Sequence, residues 1–360
     1  MARQIRIFAF GGNEVSPVGL TDANGKAIIP DIAMQWRRTS ETSKHIAKII
    51  ETFPKDSYVL THGNGPQVGN VLLRSEYSRP ILPPIPLDVC GSDTQGSMGY
   101  MIAQILGNEL ISRGLNKQVV GIVTQVVVNK DDPGFKNPTK YIGPSYTKEE
   151  AMERASRDGW TVKLYKKDDK GNEIWRKVVP SPDPLDIVEF DLVEAALEEG
   201  MIPITVGGGG IPVIRIEPDE TGVFKCNYDI TFKDRFDGPI YTGVEAVIDK
   251  DLASALLGTM LIKRAKEKGE DVEVTLTIFT GEDGAKLNYQ KPDQIDLRHL
   301  TLEEAKKYHS EGHFPAGSMG PKIAAIIKFL EAGGKKAYIS LTTKYLETIE
   351  GKAGTTIVRE

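Results

Sequence analysis

Three glycine-rich turns, each placed directly after a β-rich run, constrain this chain more than any other feature. Ile5-Arg6-Ile7-Phe8-Ala9-Phe10 leads into Gly11-Gly12-Asn13, and Ser57-Tyr58-Val59-Leu60-Thr61 leads into His62-Gly63-Asn64-Gly65-Pro66. Met201-Ile202-Pro203-Ile204-Thr205-Val206 leads into Gly207-Gly208-Gly209-Gly210. Glycine lacks a Cβ, so successive backbone N–H groups can converge on an anion that side chains would keep away. A flexible linker would have polar flanks, and the flanks of the 207–210 run are apolar. In an open parallel sheet the ligand crevice lies beyond the carboxyl ends of the strands, so the three turns are expected to line one crevice. None matches GxGxxG, GxxxxGK[ST] or GxSxG, which argues against dinucleotide, P-loop and hydrolase chemistry.

The intervening residues read as strands alternating with helices, the pattern of a mainly parallel sheet. Met98, Met101, Ile102, Ile105, Leu106 and Leu110 recur at helical spacing, predicting a buried helix over 96–110. One strand is expected over 119–128, a helix over 191–199, a strand over 272–280 and a helix over 321–332 that opens on Pro321 behind a glycine-containing loop. Residues 160–176 read as a projecting hairpin turning at Lys170-Gly171 or Gly171-Asn172. Residues 215–241 mix Asp, Lys, Phe and Tyr without periodicity, the mark of a functional or irregular segment.

Composition excludes several classes. With 360 residues, 40% of them hydrophobic, the chain can bury a large core. Cys90 and Cys226, the two cysteines, provide neither a disulfide framework nor a zinc quartet. The first residues lack the apolar core of a signal peptide, and no stretch approaches the roughly 20 apolar residues of a membrane span. A cytoplasmic protein without a membrane partner is the expectation. A net charge of −5 argues against a nucleic-acid surface, so an anionic ligand must meet local lysines.

Ten ordered blocks carry a resemblance: Gly11-Gly12-Asn13, THGNGPQVGN at 61–70, PLDVC at 86–90, VTQVVV at 123–128, NPTKYIGP at 137–144, WRKVVPSP at 175–182, GGGGIPV at 207–213, GVEAVIDKD at 243–251, GHFPAGSMGPK at 312–322 and GTT at 354–356. From end to end the sequence resembles the carbamate kinases of the amino acid kinase superfamily. The resemblance implies a single domain over 1–360, a three-layer αβα sandwich with a mainly parallel sheet of about eight strands. A lid-like subdomain would project over 141–178, and 214–242 would be an inserted segment. It implies a homodimer that exchanges phosphate between carbamoyl phosphate and ADP, giving ATP and carbamate, with Mg²⁺ accompanying the nucleotide. A kinase for a related small N-carboxylated or carboxylate substrate is the alternative.

Carried over by position, Gly11, Gly12, Asn13, Gly63, Asn64 and Gly65 would surround the carbamoyl phosphate. Gly208, Gly209, Gly210, Lys250, Tyr289, Met319 and Lys322 would line the nucleotide side. Lys140, Lys250 and Lys322 would stabilise the migrating phosphoryl group, with Asp251 orienting the lysines, and no residue is assigned as a metal ligand. That division suits the chemistry, because phosphoryl transfer needs alignment and cations more than covalent help. With carbamate as the acceptor no general base is needed, so His62 and His313 are read as structural. Cys90 is read as a buried small hydrophobe. Beside typical members the chain looks long, with the excess at 18–31, 160–176, 215–241 and 261–271.

Overall fold

The computed structural model describes residues 2–17, 20–22, 28–168, 170–233, 238–315 and 317–360; the side chain of Asn13 lies outside that description. Residues 18–19, 23–27 and 234–237, within two of the segments singled out above, also lie outside it.

The main sheet contains β1 (Arg3–Phe10), β2 (Ser57–His62), β3 (Val119–Gly121), β4 (Ile202–Ile204), β5 (Val272–Phe279), β6 (His299–Thr301), β7 (Lys336–Ser340) and β8 (Thr355–Val358). Their spatial order is β6-β8-β7-β5-β1-β2-β4-β3. Every neighbouring pair is parallel except β7 with β8. Successive side chains of a strand face opposite sides, and β1 shows what that does here. Ile5, Ile7 and Ala9 enter one apolar cluster, while Phe8 and Phe10 enter another. Both faces are therefore buried, as a parallel sheet requires.

Helices cover each face. On one side lie α1 (Ile32–Thr52) and α3 (Leu87–Ser112), contributing Ile46, Ile50, Met98, Ile102 and Leu106 to the core. On the other lie α4 (Phe190–Glu198), α5 (Lys250–Lys268), α6 (Leu302–Ser310) and α7 (Met319–Glu331). The fold is the expected αβα sandwich with its eight-stranded, mostly parallel sheet. The helix α2 (Gln67–Ser78) runs from the second glycine turn toward a separate three-stranded sheet. That sheet, made by Lys140–Tyr146, Glu173–Val179 and Val162–Lys167, carries the helix Lys148–Asp158. The expected hairpin is its outer pair of strands, and Gly171 at φ +83° makes the turn.

Two boundaries differ from expectation for identifiable reasons. The run 119–128 is two strands in two sheets, Val119–Gly121 in the main sheet and Gln125–Val128 in a four-stranded one. The Gln95 side chain holds the break, accepting from Thr124 N (2.8 Å) and donating to Thr124 O (3.0 Å). The helix expected to open on Pro321 starts at Met319, which places the proline third. Its missing N–H is still one of the four that a helix start leaves unpaired.

The 207–210 run shows why glycine is needed there. Gly208, Gly209 and Gly210 all have positive φ, and an added Cβ would overlap the Asn64 side chain, Ile248 O and the Val126 side chain respectively. Gly210→Ala, at φ +87°, is expected to lower unfolding free energy by about 2 kcal/mol or more. Gly107→Ala, inside α3 with open space around it, should gain about 0.5–1 kcal/mol. Urea denaturation of the pair reads opposite signs, and equal effects would contradict this packing account.

Candidate active site

The three glycine turns meet because β1, β2 and β4 are neighbours in the sheet. Gly63 N donates to Phe10 O (2.9 Å), tying the first two turns together. An added Cβ on Gly12 would overlap Gly65 O, so the turns approach backbone to backbone. They form the floor of a cleft of about 410 Å³ lined by Gly11, Gly12, Gly63, Asn64, Gly65 and Gly208. Only Gly208 of the third run reaches this wall. Gly209 and Gly210 line neither this cleft nor the pocket beside it, being buried against Ile248 and Val126. Of the three glycines expected on the nucleotide side, Gly208 lines the cleft, while Gly209 and Gly210 pack behind its wall.

Across the floor stands the N-terminus of α5. Ala246, Val247 and Ile248 are buried and anchor the chain as it enters the helix. Asp249 is the N-cap, its Oδ1 accepting from Asp251 N (2.9 Å), which pre-sets the first turn. Ser254 Oγ lies 2.7 Å from Thr61 Oγ1, joining that turn to the end of β2. Packing of α7 on α5 is close because Gly258 has no Cβ; one would sit 2.7 Å from Phe329 Cε2. Lys250 on α5 and Lys322 on α7 are thus held near each other.

Both lysines grip one carboxylate. Lys322 Nζ donates to Asp251 Oδ2 (2.9 Å), and the Lys250 ammonium bonds the other oxygen, Oδ1. Asp251 is 3% exposed. Burial works against its ionisation, yet the Lys250 and Lys322 charges overcome it and hold its pKa well below the carboxylate range. Burial lowers the Lys250 pKa, opposed by Asp251 and reinforced by the Lys322 charge. Two ammonium groups on one buried carboxylate leave a local excess of positive charge.

Lys140, from the first strand of the three-stranded sheet, reaches the same cleft and donates to Asp249 Oδ2 (2.8 Å). Burial disfavours the charged Asp249, but the charge and hydrogen bond of Lys140 together with the Lys250 charge outweigh it, so this carboxylate too lies below its ordinary pKa. A second pocket of about 160 Å³ adjoins the cleft, sharing Thr280, Ser318 and Lys322 with it. Tyr289 and Met319 line this pocket, and the Tyr289 hydroxyl donates to Glu282 Oε1 (2.6 Å). Lys322 stands at the junction of the two spaces.

Three charged residues of the cleft had no role assigned from the sequence. Asp249 caps α5 and pairs with Lys140. Arg176 lines the cleft from the three-stranded sheet and donates to Gly143 O (2.7 Å). Glu14, 3% exposed, accepts from Thr342 Oγ1 (3.0 Å) and faces Arg38 at 3.7 Å. The blocks that contain or adjoin them were the available signal.

His62 is buried beneath the glycine turns. It is 1% exposed, and its Nδ1 lies 3.1 Å from Gly63 O, to which it can donate. Burial, with a smaller push from Lys250, lowers its pKa to about 4. A folded pKa below the unfolded value near 6.5 means the unfolded chain binds more protons between the two, so stability falls as pH drops through that window. Between pH 7 and pH 4 His62 is expected to withdraw about 3 kcal/mol, a slope that His62→Asn should abolish in urea titrations. An unchanged slope would show that His62 is not the titrating group.

Comparison with known proteins decides the family. A carbamate kinase from Thermococcus kodakarensis is 42% identical over 98% of this chain and 99% of its own length. The chain belongs to the carbamate kinase family. The family includes a Pyrococcus horikoshii carbamate kinase, 42% identical over 98% of each chain. A solved structure of Giardia lamblia carbamate kinase bound to AMP-PNP superposes with a TM-score of 0.78 at 33% identity, covering 100% of this chain and 99% of that one. No protein-family model matches the chain. The two archaeal relatives are nearly as long as this chain, so the expected excess length does not hold against them.

Proposed function

We propose that this chain transfers a phosphoryl group between carbamoyl phosphate and ADP, giving ATP and carbamate, reversibly. One observation carries the reading: Lys250 and Lys322 share the single buried carboxylate of Asp251, in a cleft that Lys140 also lines. The cluster is short of negative charge, and a phosphoryl group supplies it. Each cation near 4 Å contributes roughly 4 kcal/mol at an effective dielectric of about 20.

The glycine turns hold the carbamoyl end, and the pocket with Tyr289 and Met319 takes the nucleoside. Between them, at Lys322, the bond from phosphorus to the carbamoyl oxygen breaks and the ADP β-phosphate oxygen forms the new one. Carbamate leaves with the electron pair as an anion, so no proton moves and no base is required. Lys140 exchanges Asp249 for the phosphoryl oxygens as its three-stranded sheet closes over the cleft. Magnesium ordinarily binds through one or two carboxylates with substrate phosphates and water. Asp249 and Asp251 are the nearest cleft carboxylates to the lysines and both are already bonded to them, which fits an ion held mainly by the nucleotide. Such an ion would add charge neutralisation at the β- and γ-phosphates.

Coupled detection of ATP from ADP, Mg²⁺ and carbamoyl phosphate, run beside acetyl phosphate, tests the reading. Turnover with carbamoyl phosphate well above that with acetyl phosphate is expected. Turnover with acetyl phosphate alone would assign the site to a different carboxylate.

A further inference from the structure

On the far side of the three-stranded sheet lies a cavity of about 480 Å³ that shares no lining residue with the catalytic cleft. It sits between α2, the following segment at 84–87, and the strand Glu173–Val179. Adjacent residues of that strand face opposite ways: Arg176 lines the cleft and Lys177 lines this cavity.

Two opposite charges in its wall are only partly paired. Glu76 has an 8% exposed side chain, and its Oε2 has no hydrogen-bond partner among the described residues; Oε1 faces Arg79 at 3.8 Å. The Lys177 ammonium stands 4.5 Å from the centre of the Trp160 ring and has no ion-pair or hydrogen-bond partner among the described residues. Burial lowers its pKa, with Glu245 and then Glu76 opposing. An enclosed carboxylate oxygen without a donor is costly, and so is a desolvated ammonium without an acceptor. One molecule bearing both complementary groups satisfies both. Leu72, Ile85 and Phe135 provide an apolar wall in the same space.

We infer that this cavity binds a small zwitterion of the α-amino acid class with an apolar side chain. Glu76 takes its ammonium, Lys177 takes its carboxylate, and the side chain lies toward Leu72, Ile85 and Phe135. The inference does not depend on the phosphotransfer reading, since none of these residues belongs to that cleft.

Isothermal titration of the full-length protein with L-leucine, and separately with L-phenylalanine, tests it. Saturable binding of at least one at millimolar concentration is expected, weakened about tenfold or more in Glu76→Gln and in Lys177→Met. N-acetyl-leucine and leucinamide, each lacking one charge, should bind about tenfold or more weaker than leucine; this comparison uses the wild type and stands even where a variant fails to fold. Absence of saturable binding of both amino acids overturns the inference. So does equal binding of the one-charge analogues, or unchanged affinity in both folded variants.

Discussion

Replacing Lys250 or Lys322 with methionine is expected to slow ATP formation from carbamoyl phosphate and ADP by at least about a hundredfold, with the fold intact. The size follows from the roles assigned to them. Each places a full positive charge in a cleft that excludes part of the solvent, where a cation beside the transferring group stabilises its oxygens without reorganising. The retained fold follows from the electrostatics of the free protein. Lys250 and Lys322 repel each other across Asp251, so losing one relieves a strain and leaves the carboxylate one partner. A cluster held for chemistry at a cost in stability is the expected trade. Steady-state kinetics beside urea midpoints measure both sides. A variant that turns over near the wild-type rate would remove that lysine from the mechanism.

Asp251→Ala should combine the two losses. It leaves two ammonium groups, 12% and 17% exposed, facing each other without the carboxylate that bridges them. Breaking a buried ion pair from one side typically costs about 3–5 kcal/mol. Activity should fall by about a hundredfold or more as well, since the lysines lose the group that aims them. The pH dependence distinguishes this from a simple packing defect. Because the folded pKa of Asp251 is depressed, its contribution is present above the unfolded-chain value near 3.9 and is lost as pH falls below that toward the folded pKa. The stability gap between wild type and Asp251→Ala should therefore be full at pH 7 and narrow below about pH 4. A gap that is constant with pH would assign the loss to packing alone.

How far the sequence carried this account varies from residue to residue. The glycine turns were legible because glycine after a buried apolar run leaves few alternatives: a turn at a strand end, close to another backbone. What the glycines are for was less legible. Gly209 and Gly210 resemble an anion cradle in one dimension, but their need arises from Ile248 and Val126, which only the fold brings near. The break at 122–124 was invisible for the same reason. The apolar pattern of 119–128 is continuous, and the group that interrupts it is a glutamine side chain from α3, 29 positions earlier.

The lysines posed a different problem. Physical reading alone does not single out Lys140, Lys250 and Lys322 among 45 lysines and arginines; the family blocks are what pointed to them. The blocks did not announce their partners. Asp249 looks like an ordinary capping residue until Lys140, 109 positions away, is seen on its Oδ2. Arg176 looks like a strand-surface charge until the three-stranded sheet places it at the cleft. Local chemistry was written in the chain, whereas the pairings depend on which strands and helices are neighbours.

In the proposed reaction, ammonium groups from three separate elements converge on one migrating phosphoryl group. A crystal structure with ADP, Mg²⁺ and aluminium fluoride, grown in bicarbonate, addresses it most directly. Fluoride ligands are expected within hydrogen-bond reach, about 3 Å, of Nζ of Lys140, Lys250 and Lys322, with Lys140 released from Asp249. An aluminium group bound elsewhere, with Lys140 still on Asp249 and the other two lysines still both on Asp251, would contradict it.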